Sequence, residues 1–193
     1  NGPVLVTGAT GGVGCVAVTL LAKLGYHVIA VSGKAEARQF LLDLGAAEIL
    51  TRDELRDTTG KQLLPGRWAG VVDTVGGDLL DNAIRYTKLE GAVASCGNII
   101  SAELRTSIYP FILRGVALLG INSAFTPITI RQTIWQKLAT DWKLEILHRM
   151  DQPVHVVRAT RIDIRQADEL IGILAHAGGA SLVVALDAGG ISV

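Results

Sequence analysis

The sequence predicts an α/β fold, in which a doubly wound parallel sheet carries helices on both faces. Three observations predict it. Short runs rich in β-branched residues alternate with helical patterns, as in successive βαβ units. The first of these runs leads through a glycine-dense turn into an apolar helix. Gly25 and Gly45 stand where the first two helices should end.

The predicted strands and helices alternate regularly. Six strands are predicted, at residues 3–7, 27–31, 48–50, 69–73, 91–95 and 117–121. Helices are predicted at residues 13–24, 35–44 and 79–87, with a short one after Asp53. Farther on, apolar residues recur at the spacing that keeps one helix face buried. This spacing predicts a long helix over residues 128–150 that packs across the sheet edge.

The C-terminal part has a different pattern. After Pro153 a strand is predicted at 154–159, a helix at 165–177 and a second strand at 181–186. This tail has too few elements for a core of its own. We therefore expect a sheet domain at residues 1–150, whereas residues 151–193 extend the sheet or belong to a domain whose other strands are missing. Because a core strand begins almost directly after Asn1, we also expect the chain to be a fragment.

Composition excludes several classes of function. Eighteen basic residues balance eighteen acidic ones, so no net charge favours nucleic acid or an anionic membrane surface. The apolar runs are interrupted and too short to span a bilayer. Two cysteines, Cys15 and Cys96, cannot form a disulfide framework, which favours a reduced, cytoplasmic setting. The four histidines lack the spacing of metal ligands or of a catalytic triad.

The turn after the first strand is the strongest functional signal. In VLVTGATGGVG, an apolar strand enters a turn with four glycines and then a helix. Glycine allows a sharp turn and a close approach to phosphate, and the first amide groups of the helix lack intrahelical partners. Such a turn predicts a phosphate site. The alternative is a tight turn that only packs the helix on the strand.

Two nucleotide-binding patterns fit this turn. The first, Thr7-Gly8-x-x-x-Gly12-x-Gly14, is typical of short-chain dehydrogenases, whose chemistry also needs a tyrosine with a lysine four residues later. None of the three tyrosines has that lysine. The second, Ala9-x-Gly11-x-x-Gly14, is typical of quinone-oxidoreductase-like medium-chain reductases. The second interpretation therefore remains.

The end of the second strand favours NADPH over NADH. An NAD-preferring domain usually has a carboxylate there that accepts the ribose hydroxyls, whereas this strand ends in Ser32-Gly33-Lys34. Ser32 can donate a hydrogen bond to a 2′-phosphate, and Lys34 supplies positive charge. The alternative is that Lys34 and Arg38 form the solvated start of a helix. Glu36, close in sequence, weakens the prediction.

Two further loops follow strands. Asp73-Thr74-Val75-Gly76-Gly77 follows the fourth strand, and Cys96-Gly97-Asn98 follows the fifth. Because ligands of open α/β sheets bind outside the carboxyl ends of the strands, these loops should flank the adenosine and nicotinamide parts of one extended cofactor. For Asp73 we expect mainly a role as a helix cap or turn residue. For Cys15, a small packing residue is a simpler interpretation than a reactive thiolate.

Longer stretches carry a resemblance to a known group. They are TGATGGVG, LLAKLGYHVIAVSGKAEARQFLLDLGAAEILTRDEL, WAGVVDTVGG and PFILRGVALLGINS. In them the chain resembles the YhdH/YhfP group of medium-chain reductases, the acryloyl-CoA reductase-type quinone oxidoreductases. The resemblance implies a Rossmann-type cofactor domain and a zinc-free enzyme that uses NADPH. The reaction it implies is reduction of an activated carbon-carbon double bond in an enoyl thioester such as acryloyl-CoA, an enone or a quinone.

The same resemblance implies the cofactor contacts. The pyrophosphate would lie against the glycine turn and helix start, at Thr10, Gly11, Gly12, Val13, Gly14, Cys15 and Val16. Ser32, Gly33 and Lys34 would hold the 2′-phosphate, with Arg52 near that phosphate or the adenine. Val75, Cys96 and Gly97 belong to the flanking loops, and Asn98, Ile112 and Ser123 would line the nicotinamide end. No catalytic residue is predicted, because the group carries its substrate pocket in a GroES-like domain that would precede Asn1.

Two rival hypotheses stay open at this point. One is a standalone NADP(H)-binding module with a regulatory or sensing role, and the other is the enoyl reductase module of a larger synthase. In the reductase interpretation the tail returns to the missing domain, so its apolar face is partly uncovered. This predicts association, for which a homodimer is one form. The expected partner is a small-molecule enoyl or quinone substrate, with no nucleic acid and no membrane.

Overall fold

The predicted parallel sheet is present. A computed structural model of the protein describes residues 2–122 and 125–144. The strands found there are β1 (Val4–Val6), β2 (Val28–Val31), β3 (Glu48–Leu50), β4 (Trp68–Asp73), β5 (Thr87–Ser95) and β6 (Ala117–Gly120). They form one sheet in the order β3-β2-β1-β4-β5-β6, and every neighbouring pair is parallel. This order confirms the doubly wound α/β class.

Helices connect the strands. Those in the described residues are α1 (Gly12–Lys23), α2 (Arg38–Asp43), α3 (Arg52–Leu55), α4 (Gly77–Arg85), α5 (Tyr109–Arg114) and α6 (Ile128–Ala139). A 3-10 turn, Ala35–Ala37, precedes α2. Gly25 and Gly45 follow α1 and α2 with φ angles of 85° and 99°, which confirms the predicted helix ends.

The sheet separates two hydrophobic cores. In β1, Val4 and Val6 belong to the first core, which also receives α1, whereas Leu5 belongs to the second core, which receives α4. All three side chains are at most 1% exposed. A strand covered on both faces must be apolar at every position, which explains why the strand runs are continuous rather than alternating.

Two helices differ from the prediction. The helix expected over residues 128–150 ends at Ala139, because the chain turns there: the amide groups of Thr140 and Trp142 both donate to the carbonyl of Lys137. The short helix α5 was not predicted. Pro110 in its first turn and Gly115 just past its end mark it, but six residues are too few for a hydrophobic period to be recognised.

Part of the prediction falls outside the described residues. This applies to residues 145–150 of the long helix, to Ser123, and to the whole tail at residues 151–193. The described part of the long helix packs on the first core: Ile134 is buried there, with Leu138 and Trp142 against it. This core is also the one that α1 covers.

The strand order produces a crevice at one edge of the sheet. The chain runs from β1 to β2 and β3 on one side, then returns to β4, β5 and β6 on the other side of β1. The connections that leave β1 and β4 therefore diverge at the carboxyl ends of these neighbouring strands. Ligands of doubly wound sheets bind at this position.

Candidate cofactor-binding site

The glycine turn lies at the crevice. It connects β1 to α1, and the amide of Gly11 donates to the carbonyl of Gly8 at 2.8 Å. Gly11 occupies the position before α1 and has no side chain that could cap the helix, and no acidic residue lies in the first turn. The first amide groups of α1 thus have neither an intrahelical acceptor nor a local anion, so they can bind a phosphate.

A second feature is a cavity of about 530 Å³ beside the ends of β2 and β3. Its lining includes the three residues predicted to hold a 2′-phosphate: Ser32, Gly33 and Lys34. Ser32 is 7% exposed, and its oxygen accepts a hydrogen bond of 3.1 Å from the amide of Lys34. A hydroxyl that accepts from an amide keeps its own proton, so Ser32 can also donate.

Arg52 lies against the backbone of Gly33. A β-carbon at position 33 would approach Arg52 Nε to 2.9 Å and Cζ to 3.1 Å. The start of α3 fixes the backbone of Arg52, because Thr51 and Glu54 form a capping box: Thr51 Oγ1 accepts from the amide of Glu54 at 3.2 Å, and Glu54 Oε2 accepts from the amide of Thr51 at 2.6 Å. The structure therefore brings Arg52 into the same cavity as Ser32, Gly33 and Lys34.

The charges of the pocket favour an anion. Four cationic side chains and two carboxylates line it, namely Lys34, Arg38, Arg52, Arg56, Asp53 and Glu54. Both carboxylates are engaged locally. Glu54 caps α3, and the hydrogen bond from the Thr51 amide holds the pKa of Glu54 below its usual range. Asp53 accepts from Arg56 Nη1 at 2.8 Å. Glu36 is not among the lining residues.

The loops after β4 and β5 pack together on the other half of the sheet. The carbonyl of Val75 accepts from the amide of Ile100 at 2.8 Å, and the amide of Cys96 donates to the carbonyl of Asp73 at 2.9 Å. Gly97 lies directly against Thr74, and Asn98 is exposed at the loop surface. Val75, Cys96, Gly97 and Asn98 are thus brought together, and their contact with a cofactor stays a prediction.

Asp73 is the buried centre of these loops. Its carboxylate is 0% exposed and accepts from two hydroxyl and two amide groups. Burial raises the pKa of Asp73, and the hydrogen bonds from Thr7, Gly76, Val75 and Ser95 oppose that rise. Two of its four partners are amides of the following turn, which confirms its expected role as a turn residue.

One predicted residue, Ile112, is not gathered with the others. Ile112 lies on α5 with 63% of its surface exposed. The neighbouring Arg114 donates to the carbonyls of Arg85 and Thr87, where β5 begins, and thus at the edge opposite the crevice. The assignment of Ile112 to the nicotinamide end stays a prediction without support from its position. Ser123 lies outside the described residues.

Cys15 is a packing residue. Its thiol is 2% exposed and donates to the carbonyl of Gly12 at 3.3 Å. Burial raises the pKa of this thiol from 9.0 to about 11. A neutral thiol is a poor nucleophile, so the position at the start of α1 does not activate Cys15.

Sequence reasoning missed part of the pocket wall. Arg56 and Thr51 were not singled out, and Arg38 was considered only as a solvated helix start. The pattern Thr51-x-x-Glu54 is a capping box, which would have predicted a helix beginning at Arg52. Arg56 pairs with Asp53, three residues earlier, which is a local pattern, and also with Asp78 on α4, which lies 2.7 Å from Arg56 Nε and is distant in sequence.

Comparison with known protein families shows the family to which the chain belongs. Residues 12–142 match the zinc-binding dehydrogenase family, a range that contains the helix after the glycine turn, the cationic pocket and both loops of the second half. The chain belongs to this family. In residues 2–122 and 125–144, no group of three or more His, Cys, Asp or Glu side chains is arranged to hold a metal ion. The zinc-free character implied by the resemblance stays a prediction.

Individual relatives confirm the resemblance to the YhdH/YhfP group. Acrylyl-CoA reductase AcuI of Ruegeria pomeroyi is 44% identical over 153 residues, which are 79% of this chain and 46% of AcuI. YhfP of Bacillus subtilis, for which a quinone oxidoreductase activity has been suggested, is 45% identical over 143 residues, which are 74% of this chain and 43% of YhfP.

Solved structures of members of the same group are also similar to this chain. The crystal structure of YhfP with NAD bound has a TM-score of 0.74 at 40% identity, over 80% of this chain and 50% of that chain. The YhdH oxidoreductase of Salmonella enterica in complex with NADP has a TM-score of 0.70 at 45% identity, over 73% of this chain and 43% of that chain. The chain thus spans half or less of the length of these relatives. Within its described residues, no helix is both long enough and apolar enough to cross a membrane.

Proposed function

We propose that this chain is the NADPH-holding part of an oxidoreductase that reduces an activated carbon-carbon double bond. The observation that carries the proposal is the cationic pocket at the ends of β2 and β3, which Ser32, Lys34 and Arg52 line together. An NAD-preferring domain has a carboxylate at the end of β2 that would repel a 2′-phosphate. Here the corresponding residue is the hydroxyl-bearing Ser32.

The cofactor choice rests on this pocket rather than on the relatives. The YhfP structure holds NAD, whereas the Salmonella YhdH structure holds NADP. In this chain the pocket has an excess of cationic over acidic side chains, and both carboxylates are engaged with Arg56 or with the start of α3. A phosphate dianion is stabilised by such a surface, whereas two ribose hydroxyls gain little from it.

Each part of the chain has a distinct task in this proposal. The first amide groups of α1 bind the pyrophosphate, and the pocket with Ser32 and Arg52 binds the 2′-phosphate. The loops around Val75 and Asn98 orient the nicotinamide half and exclude water from one side of it. When bound, NADPH supplies a hydride to the β-carbon of the substrate. No residue of this chain is assigned to stabilise the negative charge that then develops.

The substrate part of the proposal follows the relatives. AcuI is an acrylyl-CoA reductase and shares 44% identity with this chain. We propose an enoyl thioester of the acryloyl-CoA type as the substrate class, with an enone or quinone as the next candidates, in a cytoplasmic enzyme. Residues 151–193 would return to the substrate-binding domain, and a homodimer is a further element of the proposal.

The cofactor proposal is tested by titration of the protein with NADPH and NADH. We expect tighter binding of NADPH, and we expect Lys34→Asp to weaken it by about 1–3 kcal/mol while NADH binding is unchanged or improved. Lys61→Asp is the matched control, because Lys61 is an exposed lysine that does not line the pocket. Equal affinities of the wild type for the two nucleotides would reject the 2′-phosphate site.

The reaction is tested on the full-length protein. NADPH oxidation is followed with acryloyl-CoA and, in parallel, with a panel of quinones and simple enones. Turnover with the thioester supports the proposal. A preference for quinones would instead show that the substrate belongs to the second candidate class. Tight NADPH binding without turnover of any of these compounds would instead favour a standalone binding module.

A further inference from the structure

Asp73 has more hydrogen-bond partners than a turn residue needs. Its Oδ1 accepts from Thr7 Oγ1 at 2.7 Å and from the amide of Val75 at 3.4 Å. Its Oδ2 accepts from the amide of Gly76 at 3.0 Å and from Ser95 Oγ at 3.3 Å. The carboxylate is 0% exposed, so every partner is a protein group held in place by the fold.

These partners belong to three separate segments. Thr7 follows β1 and begins the glycine turn, Val75 and Gly76 form the turn before α4, and Ser95 ends β5. Thr7 is also bonded to Thr74: the amide of Thr74 donates to Thr7 Oγ1 at 3.0 Å, and Thr74 Oγ1 donates to the carbonyl of Thr7 at 3.0 Å. One buried carboxylate thus connects the pyrophosphate turn with both loops of the nicotinamide half.

The loop after β5, residues 97–101, packs tightly against the turn at residues 74–76, which Asp73 holds. A β-carbon at Gly97 would collide with the carbonyl oxygen of Thr74. The amide of Ile100 bonds to the carbonyl of Val75, and Gly76 forms an isolated parallel bridge with Ser101. Because these contacts are between backbone atoms, a displacement of the turn at residues 74–76 must displace the loop at residues 97–101.

The pocket for the adenosine end shares none of these bonds. Its lining residues lie at the ends of β2 and β3, around the start of α2 and at α3, and none of the four donors to Asp73 is among them. A disturbance at Asp73 should therefore reach one half of the cofactor site and leave the other half intact.

We propose that Asp73 is a positioning residue for the nicotinamide half of the cofactor. By bonding Thr7, the 74–76 turn and Ser95 at once, it sets the distance between the pyrophosphate turn and the loop that carries Asn98. It acts through these loops and does not itself contact the cofactor. The inference rests on the proposed function, since it concerns how the same nucleotide is held.

The test compares two ligands in the full-length protein. In Asp73→Asn an NH₂ group replaces one carboxylate oxygen and faces donors that it cannot accept from. We expect the Kd for NADPH to rise by about tenfold or more, while the Kd for 2′,5′-ADP, which has the adenosine and one 5′-phosphate but lacks the nicotinamide half, changes less than about twofold. An equal change in the two Kd values, or no change in either, would overturn the proposal.

Two further variants separate positioning from general destabilisation. Thr87→Val is the matched control, because the Thr87 hydroxyl is fully buried and donates to the carbonyl of Ala83 at 2.8 Å, at the opposite edge of the sheet. It should lower the melting temperature without altering either Kd. Ser95→Ala removes one donor and keeps the carboxylate. It should raise the Kd for NADPH by a smaller factor than Asp73→Asn does, again with little change in the Kd for 2′,5′-ADP. If Asp73→Asn does not fold, this variant tests the positioning role.

Failure of the proposed function has a different signature. It would appear as a wild-type protein that binds neither NADPH nor 2′,5′-ADP. If the positioning role is wrong, the wild type binds both NADPH and 2′,5′-ADP, and Ser95→Ala or Asp73→Asn weakens the binding of the two ligands by the same factor.

Discussion

The guanidinium group of Arg52 lies so close to the backbone of Gly33 that a β-carbon at position 33 would come within 2.9 Å of Arg52 Nε. The absence of a side chain at Gly33 thus allows a cation from the start of α3 to reach the end of β2. This relationship joins two residues that are 19 positions apart in the chain. It forms the wall of the pocket in which a 2′-phosphate is proposed to bind.

Gly33→Ala should weaken the binding of NADPH selectively. The three atoms nearest to the new methyl group all belong to the flexible end of the Arg52 side chain, so the guanidinium should move and the fold should be retained. We expect the Kd for NADPH to rise by about tenfold, since a charge-assisted contact is lost or lengthened, with no change for NADH. Gly66→Ala is the control, because its methyl group would meet Lys88 Cγ at 3.0 Å, away from the pocket. Unchanged NADPH binding would show that Arg52 does not contact the phosphate.

Arg52→Gln should weaken the binding of 2′,5′-ADP but not of 5′-ADP. The change removes the charge and keeps most of the side-chain length, so the loss of affinity measures attraction to the 2′-phosphate, about 1–3 kcal/mol. The remaining affinity should depend less on salt concentration. Arg105→Gln is the control, since Arg105 is paired with Glu103 on an exposed loop outside this pocket. An equal loss for both nucleotides would assign Arg52 to the adenine.

Cys15 should make the stability of the protein fall at high pH. Its thiol has a pKa of about 11 in the folded chain and 9.0 as an ordinary value. The folded state therefore holds its proton more tightly than the unfolded state does. The contribution of this thiol to the free energy of unfolding, about 2–3 kcal/mol, is fully present below pH 9 and is lost as the pH rises through about 11.

The measurement for Cys15 is urea unfolding at pH 8 and pH 11. Wild type and Cys15→Ala should differ less at pH 11 than at pH 8, because the variant lacks the titrating thiol while all other groups are shared. A constant difference between the two proteins would contradict the shifted pKa. Alkylation at pH 8 adds a direct readout, since Cys15 should react only after unfolding.

Arg85→Leu should destabilise the fold without affecting cofactor binding. Arg85 is the last residue of α4, with a side chain 10% exposed, and it pairs with Asp57 at 3.0 Å and Asp81 at 2.9 Å. Asp57 is only 3% exposed and would be left without its cation. We expect a loss of about 3–5 kcal/mol in the free energy of unfolding, measured by urea denaturation, because a buried charge loses its partner.

Arg105→Leu serves as the comparison for Arg85→Leu. The Arg105 side chain is 87% exposed and also forms an ion pair, with Glu103 at 2.7 Å. Exposed pairs contribute about 0–1 kcal/mol, so this variant should be close to wild type. A similar loss in both variants would mean that burial does not determine the contribution of Arg85.

The sheet and its main helices could be predicted because each is specified locally. Continuous apolar runs such as Val4 to Val6 are needed only where both faces of a strand are covered, and Gly25 and Gly45 end helices by their backbone conformation alone. The predicted length of the helix that begins at residue 128 was wrong, because the backbone turns locally while the helical spacing of apolar residues continues. At Thr140 the chain leaves the helix although Trp142 retains the helical spacing, and both Ile134 and Trp142 still pack on the first core.

For this protein the sequence by itself determined the order of strands and helices along the chain, the glycine turn between β1 and α1, and the absence of a carboxylate at the end of β2, since all three are properties of neighbouring residues. Only the tertiary structure decided that Arg52 lies over Gly33, that Arg56 is held by Asp78, and that Asp73 joins three segments. Such contacts depend on how parallel strands are ordered in the sheet. That order follows from the packing of the whole chain, and no local pattern records it.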